Sequence, residues 1–284
     1  MYETRPLDLS PAGLAACAAL IREVMPRGTH ITAEFLDWQY NRNPDGHAFG
    51  FNAYDGPRLV SHCVVQPLRA GLFGEEQRGV LSLNAVSHPS CRGKGVYFDL
   101  AARTYDLARA DGYAFGVAVT NDFSTSGFVR NVGFSVVGPL QARLGIGPVA
   151  RRDIEVPVDL KKSWRPESVA WRLSPPGGSY RLVRTADGVS ARGRMVGWPV
   201  DVLLGELAPE LCEGLTGSEA GSTGAVRLWV GLDARVAWSR SAYLDLPMKV
   251  RPSPLYLIFL DLGGQGRTLD PARVHWRALD FDTF

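Results

Sequence analysis

Cysteine is scarce in this sequence, and its four residues lie far apart. Cys17, Cys63, Cys91 and Cys212 form no CxxC pair and show no metal-ligand spacing. No metal site is therefore expected. In a chain of this size without a secretory signal, we expect reduced thiols and a cytoplasmic location.

Long apolar runs and a strong net charge are also missing. No stretch is apolar for long enough to span a bilayer, so no membrane partner is expected. Lys and Arg number 31 against 29 Asp and Glu, which gives a formal charge of +2 and no global case for nucleic-acid binding. With 284 residues, 45% of them hydrophobic, the chain can form one large domain or two modest ones.

Regular helix and strand patterns fill the first half of the chain. Ser10 is the expected N-cap of a first helix, with Leu14, Ala18, Ile21 and Val24 on one face. A second helix is expected over residues 33–40, with Phe35 and Trp38 in the core. Later elements are predicted as three antiparallel strands over 49–54, 59–67 and 80–87, a helix over 96–109, a buried strand over 113–119, a short helix over 124–131 and a strand from 135 to 138.

The second half begins near residue 150, after which residues 151–165 suit a connector. The sequence predicts strands over 180–185, 190–196, 225–231 and 255–262, and a helix over 199–212. We therefore predict two domains, 1–150 and 151–284.

A glycine-rich turn between a strand and an amphipathic helix is the most informative feature. It reads Cys91-Arg92-Gly93-Lys94-Gly95-Val96. The glycines permit a tight turn and close approach of backbone N–H groups to a ligand, and the start of the following helix adds unpaired donors. With the charges of Arg92 and Lys94, the turn predicts a phosphate or pyrophosphate site.

Two common phosphate-binding motifs do not fit this turn. A P-loop needs an earlier glycine and a Ser or Thr after the lysine, but Gly95 follows Lys94. A dinucleotide fingerprint needs a third glycine, and Val96-Tyr97-Phe98 follows instead.

The order of strand, HPSCRGKGV, helix, buried strand and short helix resembles the GNAT acyltransferase superfamily. Its R/QxxGxG/A loop, which holds the pyrophosphate of acyl-coenzyme A, matches residues 92–97 except that Tyr97 replaces a small residue. The resemblance implies an α/β (α+β) fold with a mixed, mostly antiparallel central sheet flanked by helices. FLDWQYNRNPDG and the terminal LDFDTF are similar to a branch with a second, smaller GNAT-like domain, which includes acyltransferases of nucleotide-linked amino sugars.

The co-substrate that this resemblance implies is acyl-coenzyme A, and the resemblance also implies which residues contact it. The pantetheine arm would pair with the edge of the strand that ends near residue 87, and an N–H near Val86 would hold the thioester oxygen. Asn121 would also bond the pantetheine. The implied binding residues are Ala85, Val86, Ser87, Cys91, Arg92, Gly93, Lys94, Gly95, Val96, Tyr97 and Asn121.

Asn84 and His62 are the candidate catalytic residues, although no general base is obvious. Asn84 is expected on the strand face of Ser82 and Val86, where it would orient an amine or a water. His62 is either a cleft residue or a hydrogen-bonded structural histidine. Phe128 and Val129 stand where the family has a tyrosine acid; a coenzyme A thiol with a pKa of about 8.5 can leave without one.

Three functions remain open from the sequence. The first is N-acyl transfer to a small polar amine, such as a nucleotide-linked amino sugar. A homodimer is compatible with this function. The second is transfer from an aminoacyl-tRNA donor. A basic cluster near the connector is compatible with it: Arg143, Arg151, Arg152, Lys161, Lys162 and Arg165. The third is a non-catalytic module that binds acyl-coenzyme A.

Overall fold

The computed structural model describes residues 2–25, 28–178, 180–185, 188–194, 200–219, 226–251 and 254–281. In these ranges the helices are α1 (Pro11–Val24), α2 (Ala33–Leu36), α3 (Val96–Ala110), α4 (Asp122–Val132) and α5 (Pro166–Arg172). The strands are β1 (Glu3–Pro6), β2 (Phe49–Asp55), β3 (Arg58–Leu72), β4 (Glu75–Ser87), β5 (Phe115–Asn121), β6 (Ser135–Pro139), β7 (Gln141–Gly145), β8 (Leu160–Lys162), β9 (Arg181–Thr185), β10 (Gly188–Arg194), β11 (Asp201–Leu207), β12 (Gly217–Glu219), β13 (Arg227–Asp233), β14 (Tyr243–Asp245), β15 (Leu255–Asp261) and β16 (Val274–Arg277).

The N-terminal helices form where local signals predict them. The Ser10 side chain accepts a hydrogen bond from the Gly13 N–H and caps α1. Phe35 and Trp38 are buried, as predicted. After α2 the chain widens into a π-helical turn, Asp37–Asn41. Such turns are rare and occur often at functional sites.

One mixed sheet connects the strands of the described residues. Its main order is β12-β9-β10-β11-β13-β16-β8-β3-β4-β5-β15-β6. Off this path, β2 pairs with β3 and β1 with β2, while β7 pairs with β13 and β14 with β7. Most of the described pairs are antiparallel, but four are parallel: β4–β5, β11–β13, β12–β9 and β16–β8. Buried apolar residues pack on both faces of this sheet, and α1, α2 and α3 cover its first half. The predicted fold class, a mostly antiparallel mixed sheet flanked by helices, is confirmed.

A strand from the second half of the chain lies within the sheet of the first half. β15 pairs with β5 on one side and with β6 on the other, both antiparallel. The residues expected as a connector also contain β8, which pairs with β3 and β16. The two halves are therefore joined through backbone hydrogen bonds, and the division at residue 150 stays a prediction.

The predicted helix over residues 199–212 is wrong. The chain forms β11 there, followed by a 3₁₀ turn, Pro209–Cys212. Three consecutive residues of β11, Val202 to Leu204, are buried because the strand lies inside the sheet between β10 and β13. A strand buried on both faces shows no alternation, so its short apolar run looks like a helix in sequence.

No helix in the described ranges combines the length and the apolar character needed to cross a membrane.

Candidate functional site

β4 and β5 run side by side and then separate. Their parallel pairing covers only Gly79–Ser82 and Phe115–Ala118. β4 continues to Ser87 and β5 to Asn121, so the ends of the two strands are not paired with each other. We call the region between these unpaired strand ends the cleft. The cleft exposes backbone groups of β4 that would otherwise pair with β5.

A β-bulge at Asn84 accompanies this separation. His62 pairs with Val86 and Val64 with Leu83, so Asn84 and Ala85 both stand opposite Cys63. Asn84 has a φ of 49°, which asparagine tolerates better than most residues. An extra residue bends a strand and raises its twist, which turns β4 away from β5.

The bulge also corrects the predicted face of Asn84. Ser82 contacts Tyr97 and Tyr105 on the α3 side of the sheet. Asn84 instead hydrogen-bonds residues after α2, on the other side, where Val86 also packs. The inserted residue shifts the alternation of side chains by one position. The prediction that Asn84 shares a strand face with Val86 is therefore right, and the prediction that it shares a face with Ser82 is wrong.

The glycine-rich turn lies at the start of α3 with its backbone donors unused. Gly93 has a φ of 73° and Gly95, the N-cap, a φ of 75°. A Cβ at either glycine would meet no heavy atom within 4 Å, so the space beside them is open. The N–H groups of residues 93–98 donate no hydrogen bond to any other described residue. The turn therefore offers a run of free donors at the positive end of the α3 dipole.

Two exposed cations flank these donors. Arg92 Nε donates to the Ser87 carbonyl at 3.1 Å, which ties the turn to the end of β4. Lys94 Nζ donates to the Tyr2 hydroxyl at 3.1 Å, beside β1, a strand that the sequence reasoning missed. Both charges remain at the surface of the turn, where an anion would meet them.

Cys91 does not face the open side of the turn. Its Sγ donates to the carbonyls of Val60 and His88, both at 3.2 Å, and its N–H donates to His88. Burial raises the pKa of the thiol, so it is neither a free donor nor a nucleophile. The expectation that Cys91 binds the co-substrate is corrected on this ground.

Tyr97 points into the core rather than into the glycine turn. Its ring packs edge-on against Phe98 and Phe128, with centroids 5.6 and 5.8 Å away. Cys63 Sγ lies 3.7 Å from its hydroxyl, and burial raises the pKa of this tyrosine well above its usual value. The departure from a small residue at this position is accommodated below α3, next to half-buried Val96.

A chain of hydrogen bonds leads from Asn84 into the interior. Asn84 Nδ2 donates to Gln39 Oε1 at 2.6 Å and to the Tyr40 hydroxyl at 2.9 Å. That hydroxyl lies 3.0 Å from His62 Nε2, and His62 Nδ1 lies 2.7 Å from Asn52 Oδ1. Among the described residues, no donor is directed at Asn84 Oδ1, so this oxygen is free for a substrate hydrogen bond.

His62 is a buried structural residue and not a cleft residue. It is fully buried, and desolvation lowers its pKa to about 4. The ring is therefore neutral near pH 7. Asn52 Oδ1 can only accept, so the hydrogen is assigned to Nδ1, and Nε2 then accepts from the Tyr40 hydroxyl. The prediction that His62 acts in the cleft is corrected: it reaches the cleft only through Tyr40.

The remaining predicted contacts lie at the two strand ends. Asn121 Oδ1 accepts from the Ser124 N–H at 3.1 Å and caps α4, while its Nδ2 has no such role. The His88 N–H donates to the Val60 carbonyl, so the alternation along β4 directs the Val86 N–H toward β3 as well. The Ser87 N–H then faces the cleft. Ala85 is half-buried on the α3 side.

Sequence comparison gives no relative, whereas structure comparison gives several. No protein-family model matches the chain, and no curated protein matches it in sequence. A protein of unknown function from Enterococcus faecalis V583, described as a probable N-acyltransferase, matches with a TM-score of 0.61 and 10% identity, over 92% of this chain and 73% of that one. A GCN5-related N-acetyltransferase from Anabaena variabilis ATCC 29413 matches with a TM-score of 0.59 and 8% identity, over the same shares.

A third similar structure is a GCN5-related N-acetyltransferase from Kribbella flavida, with a TM-score of 0.53, 13% identity, and coverage of 92% of this chain and 72% of that one. The chain has a GNAT-like fold. Within the GNAT-like fold, the separated strands, the bulge and the glycine turn occupy one continuous region, and Gln39 and Tyr40 join it from the π-helical turn. Sequence reasoning missed Tyr40, for which the sequence holds only a weak signal: two hydrogen-bonding side chains, Gln39 and Tyr40, at the end of the predicted helix.

Proposed function

We propose that this protein is an N-acyltransferase that moves an acyl group from acyl-coenzyme A to the amine of a small polar acceptor. The observation that carries the proposal is the position of the free N–H groups of residues 93–98 directly beside the opening between β4 and β5. One ligand that combines a diphosphate with a long amide-bearing arm can use both features at once.

The chain's residues fit the donor in two places. A diphosphate at the start of α3 would accept hydrogen bonds from the free N–H groups and meet the charges of Arg92 and Lys94. The arm would enter the cleft and pair with the open edge of β4. The Ser87 N–H, which faces the cleft, is our candidate to hold the thioester oxygen as negative charge develops on it.

Asn84 is our candidate to position the acceptor. Its side chain lies on the α2 side of the sheet, opposite the α3 side that holds the glycine turn. Its free Oδ1 would accept a hydrogen bond from the amine and direct the nitrogen lone pair at the thioester carbon. In the reaction a C–N bond forms, the C–S bond breaks, sulfur leaves as thiolate, and the nitrogen loses one proton to water.

A nucleotide-linked amino sugar is the acceptor we propose within this class, on the strength of the sequence resemblance. The tRNA-donor alternative has less support, because three of the six cations in the basic cluster behind it are already engaged within the chain. Arg165 pairs with Asp45 at 2.7 Å, Arg151 pairs with Asp233 at 2.7 Å, and Arg143 lies over the Trp238 ring at 4.4 Å.

Calorimetric titration with coenzyme A tests the donor site. Arg92→Ala combined with Lys94→Ala should raise the dissociation constant at least about tenfold, since two charge-assisted contacts are lost. Arg103→Ala with Arg109→Ala is the matched control, because both arginines are exposed on later turns of α3. Equal affinities in the two double variants would remove the turn from the donor site.

A mass-spectrometric screen of acetyl- and larger acyl-coenzymes against nucleotide-linked amino sugars tests the reaction. Turnover supports the transferase. Tight coenzyme A binding with no turnover across a broad amine panel would select the non-catalytic module instead.

A further inference from the structure

A second concave site lies far from the cleft, in the second half of the sheet. The cavity, of about 460 Å³, is formed where β11, β13 and β16 end, and Gly71 of β3 closes one side. It opens into a groove of about 610 Å³ that shares Arg151, Lys161 and Arg235 with it. Gly71 lies nine positions after His62 along β3, which corresponds to about 30 Å along a strand.

The strands create this cavity in a specific way. β11 and β13 are parallel over only Asp201–Leu203 and Arg227–Trp229. Beyond that point β16 pairs with the end of β13, from Gly231 to Asp233. The C-terminal strand thereby enters the gap between β11 and β13, and the cavity is the space left at its end.

Cations outnumber acids around this cavity. Its cationic lining residues are Arg151, Lys161, Lys162, Arg235 and Arg277, while Glu206 and Asp280 line it and Asp233 lies behind it. The acids are already engaged. Arg151 pairs with both Glu206 and Asp233, Arg235 pairs with Asp233 at 2.9 Å, and the Trp164 indole N–H donates to Asp280.

Two of the cations keep unused hydrogen-bonding capacity. Lys161 has no ion-pair partner among the described residues, although it lies within the fields of Arg235 and Arg277. Arg277 is 5% exposed, and its Nε has no hydrogen-bond partner in the described part of the chain. A buried guanidinium N–H without an acceptor is costly, and a bound anion or water would satisfy it.

Burial weakens the charged forms of three basic groups at the cavity. Burial and the neighbouring charges of Arg235 and Arg277 lower the pKa of Lys161. Burial also lowers the pKa of Arg277, although Asp280, Glu206 and Asp233 oppose this shift. Burial, together with the charge of Arg277, also lowers the pKa of His275 far below its usual value, so this ring adds no charge near pH 7.

The lining also contains an apolar wall. Trp164, Leu207 and Leu211 face the same space as the cations. Lys162 Nζ lies 4.0 Å from the centroid of the Trp164 ring. A ligand with an anionic end and a ring or short carbon body would contact both parts of the lining.

We propose that this cavity binds a phosphorylated small molecule, with its phosphate or diphosphate held between Lys161, Arg235 and Arg277 and its body against Trp164. The proposal is independent of acyl transfer, because none of these residues belongs to the cleft.

Titration with inorganic pyrophosphate at low ionic strength tests the proposal. The Gly95→Trp background blocks the glycine turn, so binding that persists there comes from elsewhere. In that background we expect saturable binding, and Lys161→Gln should weaken it by about tenfold. Lys249→Gln, at another exposed lysine outside the cavity, is the matched control and should leave the affinity unchanged.

Two results would overturn the proposal. One is no saturable pyrophosphate binding in the Gly95→Trp background. The other is equal affinity in Lys161→Gln and Lys249→Gln. A third arm replaces pyrophosphate with succinate: weaker binding supports a phosphate site, and tighter binding contradicts it by identifying a dicarboxylate site. Thermal unfolding of each variant without ligand shows that the fold is intact.

Discussion

The Tyr40 hydroxyl lies 3.0 Å from His62 Nε2 and accepts a hydrogen bond from the Asn84 amide at 2.9 Å. Each atom in this contact therefore has a fixed role. The neutral imidazole accepts from Tyr40, Tyr40 accepts from Asn84, and the carbonyl oxygen of Asn84 is left for the cleft. Through this chain of hydrogen bonds, buried residues fix the orientation of the Asn84 side-chain amide at the bulge.

Removing the Asn84 amide should affect the acceptor and not the donor. Asn84→Gly and Asn84→Ala should both raise the KM for the amine about tenfold, since each loses one hydrogen bond to substrate. Coenzyme A affinity should be unchanged in both. The two variants should differ in stability: alanine at a φ of 49° should cost about 1 kcal/mol more than glycine, measured by urea unfolding. The positioning role would be refuted if the KM rose only in the less stable variant, Asn84→Ala, and stayed at the wild-type value in Asn84→Gly.

The Tyr40→Phe variant tests whether Tyr40 orients the Asn84 side chain, because it leaves the Asn84 amide itself in place. The substitution keeps the ring and removes the hydroxyl, so Gln39 is the one partner that Asn84 retains among the described residues. We expect a raised KM for the amine, smaller than in Asn84→Gly, with coenzyme A affinity unchanged. Steady-state kinetics with varied acceptor measure this. An unaltered KM would show that Tyr40 only fills the core.

The buried histidine predicts a pH-dependent stability. The pKa of His62 is about 4 in the folded chain and 6.5 when exposed, so between these values the unfolded state binds the extra proton. The unfolding free energy should therefore fall as the pH drops from about 7 to about 4, with His62 contributing up to about 3 kcal/mol. The groups around the ring are Tyr40, Asn52 and Cys17, none of which is charged in this range.

His275 also has a lowered pKa, so the wild type should lose stability more steeply than His62 alone requires. His62→Gln removes one contribution, and its curve of urea-unfolding free energy against pH should be flatter than that of the wild type. Parallel curves would mean that His62 is not the buried neutral group described.

Replacing either glycine of the turn should lower both the stability of the fold and the affinity for coenzyme A. Gly93→Ala and Gly95→Ala should each lower stability by about 1 kcal/mol because of their positive φ. Gly74→Ala is the matched control: its φ is 87°, its added Cβ also meets nothing within 4 Å, and it lies in the β3–β4 turn. Calorimetry should show weaker coenzyme A binding only for residues 93 and 95. Equal binding in all three variants would contradict the donor site.

Local signals explain what the sequence predicted well. The Ser10 cap, the meander of β2 to β4 and the glycine turn before α3 depend on residues close together in the chain, and all are confirmed. The bulge at Asn84 depends on how β4 pairs with β3, which no local pattern encodes. Tyr40 and His62 meet across 22 residues, so their hydrogen bond was equally hidden. β11 was mistaken for a helix because burial on both faces erased its alternation.

The most direct test of the central claim is a crystal structure of the protein with bound coenzyme A. We expect the diphosphate within hydrogen-bond distance of the N–H groups of residues 93–98, and the pantetheine arm between β4 and β5 along the edge that ends at Ser87. A diphosphate found elsewhere, including in the cationic cavity around Lys161, with the glycine turn free of ligand, would contradict the account.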